Sequence, residues 1–380
     1  MLMPFALGIL EKVDEINPTR KAHCAMFGTA VMLGIAYGAT CGGMATTIGT
    51  TPNLVLVSVM ESYFGKNHTL NFTSYFVINI VPSLTMMAVA FCVITLKWSL
   101  GIQLEVPAEI LDDMIARLPP FDRDQQATLL VQLAQVCLWF SREGGWGWGR
   151  FMIDNGKFWN DGGVAVLAAF PLFMVPSVQR RGERLLEARM LPEINWSVIL
   201  LLGAGFAIAN GVSLSGLSEF LAKGIHAAQE GVPLPLFLGL LVILVSSFTE
   251  FASNTATANI LLPVLAVSAV NSNYHPLALM LPAVAACSCA FCFPMATPPN
   301  AVVFASRRVS FIEMVTTGLF INLTAVFVIP FVFLSYSFPV GGIGGFDGCP
   351  CPEWAKDALD HKPGELVNCT FTSPAPTPDL

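Results

Sequence analysis

Long apolar runs decide what this chain can fold into. Hydrophobic residues make up 54% of the 380 residues and charged residues only 12%, whereas about 25% of the residues of a soluble domain are charged. The runs have the length of membrane-crossing helices and are too long for the strands of a barrel. The sequence therefore predicts an all-α polytopic membrane protein.

Two interruptions break the apolar pattern in the second half of the chain. Thr249 and the polar residues of 253–257 lie inside one apolar segment, and the sequence Ala-Thr-Pro-Pro-Asn at 296–300 breaks the next one. Within a membrane, irregular backbone is tolerated only where it is buried in protein or lines a cavity. We therefore interpret 233–270 as a re-entrant helical hairpin and 276–305 as a broken helix, which together form half of a transport site.

The first sixty residues contain a similar break. As one helix, the run from 24 to 60 would measure ~55 Å, although the hydrocarbon core is only about 30 Å thick. The glycine pair 42–43 permits irregular backbone, and Pro52 removes a backbone donor. The sequence therefore predicts a second broken helix, interrupted between residues 42 and 53.

The two halves of the chain resemble one another. Residues 47–57 (TIGTTPNLVLV) match 295–305 (MATPPNAVVFA), and residues 1–13 match 260–270. This predicts inverted repeats, which hold substrate and ions between them near the middle of the bilayer. In this alignment the partner of residues 253–255 would precede Met1, so the chain is expected to be truncated at its N-terminus.

The domain boundaries follow from these segments. We expect the following parts: 1–60, a partial first repeat of a transport domain; 61–195, helices and loops that include a scaffold part; 196–305, the second repeat; 306–338, the last transmembrane helix; and 339–380, an extracellular tail.

Charge predicts the orientation of the chain. The loops 11–23, 97–125, 179–195 and 306–311 carry most of the Lys and Arg residues, which favours the cytoplasmic side. The sequons at Asn67, Asn71 and Asn368 then all lie outside and are candidate glycosylation sites. We expect a multi-pass protein of the plasma membrane.

Other function classes find little support. The net charge is −7 and no basic cluster is present, so no nucleic-acid partner is expected. The sequence contains no HExxH or GxSxG motif and no pair of intramembrane aspartates, so we do not expect an enzyme or a cofactor.

Four segments resemble a known family. The segments 41–56, 195–221, 253–263 and 293–304 are similar to those of the sodium-coupled di- and tricarboxylate symporters. These belong to the divalent anion/sodium symporter family, which also includes sulfate transporters. The resemblance covers most of 1–338 and implies a homodimer in which a transport domain moves as an elevator against a fixed scaffold. Its alternatives are a sodium/sulfate symporter or a truncated relative that does not transport.

The resemblance also implies site residues. For sodium these are Gly49 in a first site, and Thr249, Ala252, Asn254 and Ala296 in a second. For the anion they are Thr50, Ser253, Asn254, Thr255, Thr297 and Pro298. Na⁺, the only expected metal ion, prefers oxygen ligands such as these carbonyls and side chains offer.

The anion has few basic partners. Between Arg189 and Arg307 the only Lys or Arg is Lys223. We therefore expect helix N-termini, neutral donors and bound Na⁺ to hold the substrate. Glu250 has two interpretations, because an intramembrane carboxylate is a functional candidate but can also brace the hairpin through backbone N–H groups.

Overall fold

The computed structural model describes residues 2–65, 68, 70–104, 121–142, 147–151, 161–180, 182–193, individual positions between 200 and 229, 231–345, and 348–360. The regular structure of these residues is helical, and extended backbone pairs only in isolated bridges. The α-helices are α1 (Leu2–Ile16), α2 (Lys21–Gly43), α3 (Thr51–Phe64), α4 (Phe72–Ile94), α5 (Arg123–Ser141), α6 (Asp161–Ala169), α7 (Leu234–Phe251), α8 (Asn254–Asn271), α9 (Pro276–Ser288), α10 (Pro298–Ala305), α11 (Phe311–Val332) and α12 (Glu353–Asp360).

Four of the described helices are long and apolar enough to cross a membrane. They are Lys21–Gly43, Phe72–Ser99, Leu234–Phe251 and Phe311–Val340. The second and the fourth contain a π-helical turn near their C-terminal ends. The predicted apolar segment at 196–222 lies for the most part outside the described residues.

The first predicted break is present. Helix α2 ends at Gly43 and α3 begins at Thr51, after a turn that brings Gly43 and Gly49 together. A Cβ atom added to Gly49 would overlap the carbonyl oxygen of Gly43. Thr50 is extended, with φ −143° and ψ 152°, and Pro52 lies in the first turn of α3, where its missing N–H is not needed.

The hairpin and the second broken helix are also present. Helices α7 and α8 are separated only by Ala252 and Ser253, both in extended conformation. Helix α9 ends at Ser288 and α10 begins at Pro298, and the residues between them form turns. The hairpin turn at 252–253 lies within the predicted polar stretch. The second interruption lies nearer the N-terminus than predicted, at 289–297 instead of 296–300, because α9 already ends at Ser288 and the two prolines occupy the first turn of α10, where their missing N–H groups are not needed.

One predicted loop is wrong in part. Residues 11–16 of the predicted loop 11–23 continue α1, which ends at Ile16, and residues 21–23 already belong to α2. Lys12 and Glu15 form an ion pair of 2.6 Å along this helix, so charge here marks a polar helix face. Asn17 follows the helix directly, and its side chain donates to the Val13 carbonyl at 3.0 Å, just before Pro18.

The packing brings the interruptions together. Helix α8 packs on α9 and α3, α10 packs on α2, and α7 packs on α9 and α11. Tyr37 of α2 extends this packing, since its hydroxyl lies 2.9 Å from the carbonyl oxygen of Phe291 and 3.3 Å from that of Met314. The first broken helix therefore lies against the second one.

Part of the predicted tail is ordered against the helices. The N–H of Cys351 donates to the Asn273 carbonyl at 3.0 Å, and the N–H of His275 donates to the Cys349 carbonyl at 2.9 Å. Helix α12 follows and packs on α3 and α8. The tail is thus joined to the loop between α8 and α9.

Candidate functional site

The tip of the hairpin is held by a hydroxyl group. The Thr249 Oγ1 atom lies 2.7 Å from Asn254 Oδ1 and 3.0 Å from the carbonyl oxygen of Cys287. Thr249 is fully buried. It joins the last turn of α7 to the first residue of α8 and to the end of α9.

Glu250 fixes the hairpin to the second break. Its carboxylate accepts hydrogen bonds from the N–H groups of Cys292 (2.9 Å) and Phe293 (3.1 Å), and from Asn322 Nδ2 (2.7 Å). The first two donors lie in the non-helical stretch after α9, and the third lies on α11. These contacts favour the interpretation of Glu250 as a brace.

The second break is folded by Asn300. Its Nδ2 atom donates to the carbonyl oxygens of Ala290 (3.0 Å) and Phe293 (3.1 Å). The Thr297 Oγ1 atom accepts from the Asn300 N–H at 3.4 Å and thus caps α10.

The first break uses the same kind of contact. Asn53 Nδ2 donates to the carbonyl oxygens of Gly43 (3.0 Å) and Thr46 (2.7 Å). Beside it, the hydroxyl oxygens of Thr47 and Thr50 are buried without a hydrogen-bond partner among the described residues. Buried polar atoms of this kind are rare and require an explanation.

The two halves meet through a pair of threonines. The Thr51 and Thr255 hydroxyl groups are hydrogen bonded to each other. Thr51 opens α3 directly after the predicted substrate residue Thr50, and Thr255 belongs to the hairpin. The contact therefore places the first break beside the hairpin tip.

The predicted site residues all lie at these interruptions, but differ in burial. Three are buried: Thr249, Thr255 and Thr297. Four are partly buried: Thr50, Ala252, Asn254 and Ala296. Three are exposed: Gly49, Ser253 and Pro298. The buried members of the set are thus all threonines, whereas the exposed ones are small residues.

Asn53 and Asn300 belong to the predicted break sequences, but the sequence assigned them no role of their own, and it did not indicate the Asn322 amide on Glu250. A signal for Asn53 and Asn300 was available, because each follows proline at the same place in its repeat. Asn322 lies in an ordinary apolar helix, so only the packing shows its partner.

Two predicted glycosylation sites, Asn67 and Asn368, lie outside the described residues. Asn71 is the residue before α4, and its Oδ1 atom accepts from the Ser74 N–H at 2.7 Å.

The architecture agrees with a comparison against protein families. The sodium:sulfate symporter transmembrane region matches residues 3–343. The chain belongs to this family. It is accordingly an all-α polytopic membrane protein, and its family is one of transporters.

Individual relatives are similar over most of the chain. The sodium-dependent dicarboxylate transporter SdcS of Staphylococcus saprophyticus is 30% identical over 90% of this chain and 66% of its own length. Solute carrier family 13 member 2 of Oryctolagus cuniculus is 32% identical over 93% of this chain and 63% of its own length. The human Na(+)/dicarboxylate cotransporter 3 is 32% identical over 90% and 61%. The chain spans slightly less than two thirds of the length of these relatives.

Proposed function

We propose that the chain acts in sodium-coupled symport of dicarboxylates or tricarboxylates, such as succinate or citrate, across the plasma membrane. One observation carries the proposal: the hairpin tip contacts both broken helices. Thr255 contacts the first break through Thr51, and Thr249 and Glu250 contact the end of α9 and the residues that follow it. The relatives named for dicarboxylates agree with this substrate class.

Sodium suits the oxygen atoms of this region. Na⁺ is a hard cation that prefers carbonyl and neutral side-chain oxygens. In the second site we assign the side chains of Thr249 and Asn254, together with the carbonyl groups of Ala252 and Ala296. In the first site we assign the carbonyl group of Gly49. Thr249 and Asn254 support the assignment, because their oxygens already lie 2.7 Å apart.

The anion would be held without a basic side chain. Helices α3, α8 and α10 all begin at the interruptions, and helix N-termini offer free N–H groups and a positive dipole end. The side chains assigned to the substrate are Thr50, Ser253, Asn254, Thr255 and Thr297, with Pro298 beside them. Bound Na⁺ supplies full positive charge.

Coupling follows from the charge of the substrate. At about 60 mV, negative inside, the entry of a dianion costs about 2.8 kcal/mol. Cations that enter with the anion remove this cost and then drive uptake. The proposal includes a homodimer in the lipid bilayer and an elevator motion of the transport domain, in line with the resemblance of the sequence.

Sulfate is the second candidate substrate, because the family description names it. Uptake of labelled succinate by cells that express the chain separates the candidates. We expect uptake in Na⁺ medium and none in choline medium, with competition by unlabelled succinate or citrate. Stronger competition by sulfate would overturn the carboxylate assignment, and absence of any Na⁺-dependent uptake would overturn the function.

A further inference from the structure

Asn53 and Asn300 occupy the same position in the two broken helices. Each is the third residue of the helix that follows its break, and each follows an extended threonine and a proline. The two threonines, Thr50 and Thr297, have nearly equal backbone angles (φ −143° and −139°, ψ 152° and 150°).

The amide groups make the same contacts at both breaks. Each Nδ2 atom donates to the carbonyl groups ten and seven residues earlier in the chain, which belong to Gly43 and Thr46 in one case and to Ala290 and Phe293 in the other. The amide therefore ties the start of the second half-helix to carbonyl groups at or just beyond the end of the first.

The nearer of these carbonyl groups carries a second hydrogen bond. The Thr46 oxygen also accepts from the Gly49 N–H at 3.1 Å, and the Phe293 oxygen also accepts from the Ala296 N–H at 3.2 Å. Gly49 and Ala296 are the residues whose carbonyl groups are assigned to sodium. In both breaks, the asparagine thus holds the turn that ends at the assigned sodium ligand.

The complete burial of both polar side chains indicates that each has a specific structural role. Asn53 and Asn300 have no exposed surface. Two carbonyl neighbours fix the orientation of each amide, since only Nδ2 can donate to them. The Oδ1 atom of each is then left buried without a partner among the described residues. An apolar residue that only filled the space would avoid the free-energy cost of this buried, unpaired oxygen.

We propose that Asn53 and Asn300 are a matched pair of positioning residues for sodium, one in each repeat. Each keeps its break in the shape that presents a backbone carbonyl group to the ion. The proposal rests on the sodium-coupled function above. It adds Asn53 and Asn300 to the sodium sites as residues that position the ligands without contacting the ion or the anion themselves.

A purely structural role is the competing explanation, and Asn79 provides a matched control. Asn79 is also buried, and its Nδ2 atom donates to the Tyr75 carbonyl at 2.9 Å, but inside the continuous helix α4. Replacement by alanine removes a buried amide in all three cases. Only at Asn53 and Asn300 does the replacement also remove the hydrogen bonds that join the two halves of a broken helix.

The test measures the full chain in cells, with uptake normalised to surface abundance. For Asn53→Ala and Asn300→Ala we expect the Na⁺ concentration for half-maximal uptake to rise by about tenfold, as for the loss of one or two hydrogen bonds. The KM for dicarboxylate at saturating Na⁺ should change much less. Asn79→Ala should leave both values unchanged. Unchanged sodium dependence in both break variants, or an equal shift in Asn79→Ala, would overturn the proposal.

The serine variants keep the test valid if the alanine variants do not reach the surface. Asn53→Ser and Asn300→Ser retain a shorter donor, so we expect a smaller rise in the Na⁺ concentration for half-maximal uptake. If this concentration does not rise at all, the proposal is contradicted. Failure of the proposed function is a separate result, because it would appear as missing Na⁺-dependent uptake in the unmodified chain.

Discussion

The Glu250 carboxylate accepts a hydrogen bond of 2.7 Å from Asn322 Nδ2. This contact joins the hairpin to α11, across 72 residues of chain. The same carboxylate also accepts hydrogen bonds from two backbone N–H groups of the second break. One side chain therefore fixes the positions of the hairpin, the second break and α11 relative to one another. Amide donors in this number satisfy a buried charge without a basic partner.

We expect Glu250→Ala to be strongly destabilising. It leaves the N–H groups of Cys292 and Phe293 without this acceptor and leaves Asn322 Nδ2 only its 3.5 Å contact with Cys292 Sγ. A lost hydrogen bond to a charged group costs about 1.5–3 kcal/mol. The measurement is the thermal midpoint of the purified protein in detergent, together with Na⁺-dependent uptake. Both should fall.

Glu313→Ala is the matched control for this variant. Glu313 also accepts a backbone N–H, that of Ser310 at 2.7 Å, but in the capping box at the start of α11. Loss of a cap costs about 1 kcal/mol, so the midpoint should fall less and uptake should persist. Equal losses in the two variants would show that Glu250 is no more than an ordinary polar residue.

The second prediction concerns Gly49→Ala. The added Cβ atom would overlap the Gly43 carbonyl oxygen, which is backbone and cannot rotate away. The turn must therefore open, and we expect Na⁺-dependent uptake to be lost. Gly34→Ala is the control, because a Cβ atom there meets nothing within 4 Å and alanine favours the helix by about 0.5–1 kcal/mol. Normal sodium dependence in Gly49→Ala would show that the close approach is not required.

The third prediction tests the contact between the repeats. Thr51→Val and Thr255→Val each remove one hydroxyl group of the shared hydrogen bond with little change in shape. In a double-mutant cycle on thermal stability we expect a coupling energy of about 0.5–1.5 kcal/mol. Additive effects within error would mean that this contact does not hold the hairpin against the first break.

The sequence predicts the interruptions well because their causes are local. Glycine and proline act on their own backbone, so both broken helices are visible without any knowledge of packing, although the second break begins at 289, several residues before the proline pair that reveals it. Contacts between residues that are distant in the sequence could not be predicted in this way. The bond from Tyr37 to the Phe291 carbonyl joins residues 254 apart, and nothing in either segment specifies the partner. The end of α1 was missed for the opposite reason, since charged residues can continue a helix on its polar face.

The fourth prediction separates a glycan from a helix cap at Asn71. The Oδ1 atom of Asn71 caps α4 through the Ser74 N–H, so Asn71→Gln would disturb both the sequon and the cap. Thr73→Val destroys the sequon and leaves Asn71 in place. We expect Thr73→Val to reduce the glycosidase-sensitive shift on a gel by one glycan without lowering thermal stability by the ~1 kcal/mol of a lost cap. An unchanged shift would exclude Asn71 as a glycosylation site.

The loop between α8 and α9 offers a pH-dependent contact at His275. Its ring lies 5.5 Å from the ring of Trp354 in α12, and His68 stacks on the same indole at 4.1 Å. Burial, with a smaller effect of the nearby His68, lowers the pKa of His275 to about 4. The neutral ring also accepts the Leu277 N–H at 3.1 Å through Nδ1, an acceptor that protonation would remove.

The last prediction follows from this pKa. Well above pH 6.5, His275 is neutral in both the folded and the unfolded chain, so it contributes nothing to the pH dependence of stability there. As the pH falls from 6.5 to 4, the unfolded chain takes up the proton first, and stability should drop by up to about 3 kcal/mol. His275→Asn retains an acceptor for the cap but cannot be protonated, so it should flatten this part of the profile. Hydrogen-exchange protection factors of residues 348–360, in which each rate is divided by the intrinsic rate at that pH, measure the effect on the docked segment at pH 7.5 and 5. If protection falls equally in the variant, another group controls the response, because only His275 differs between the two proteins.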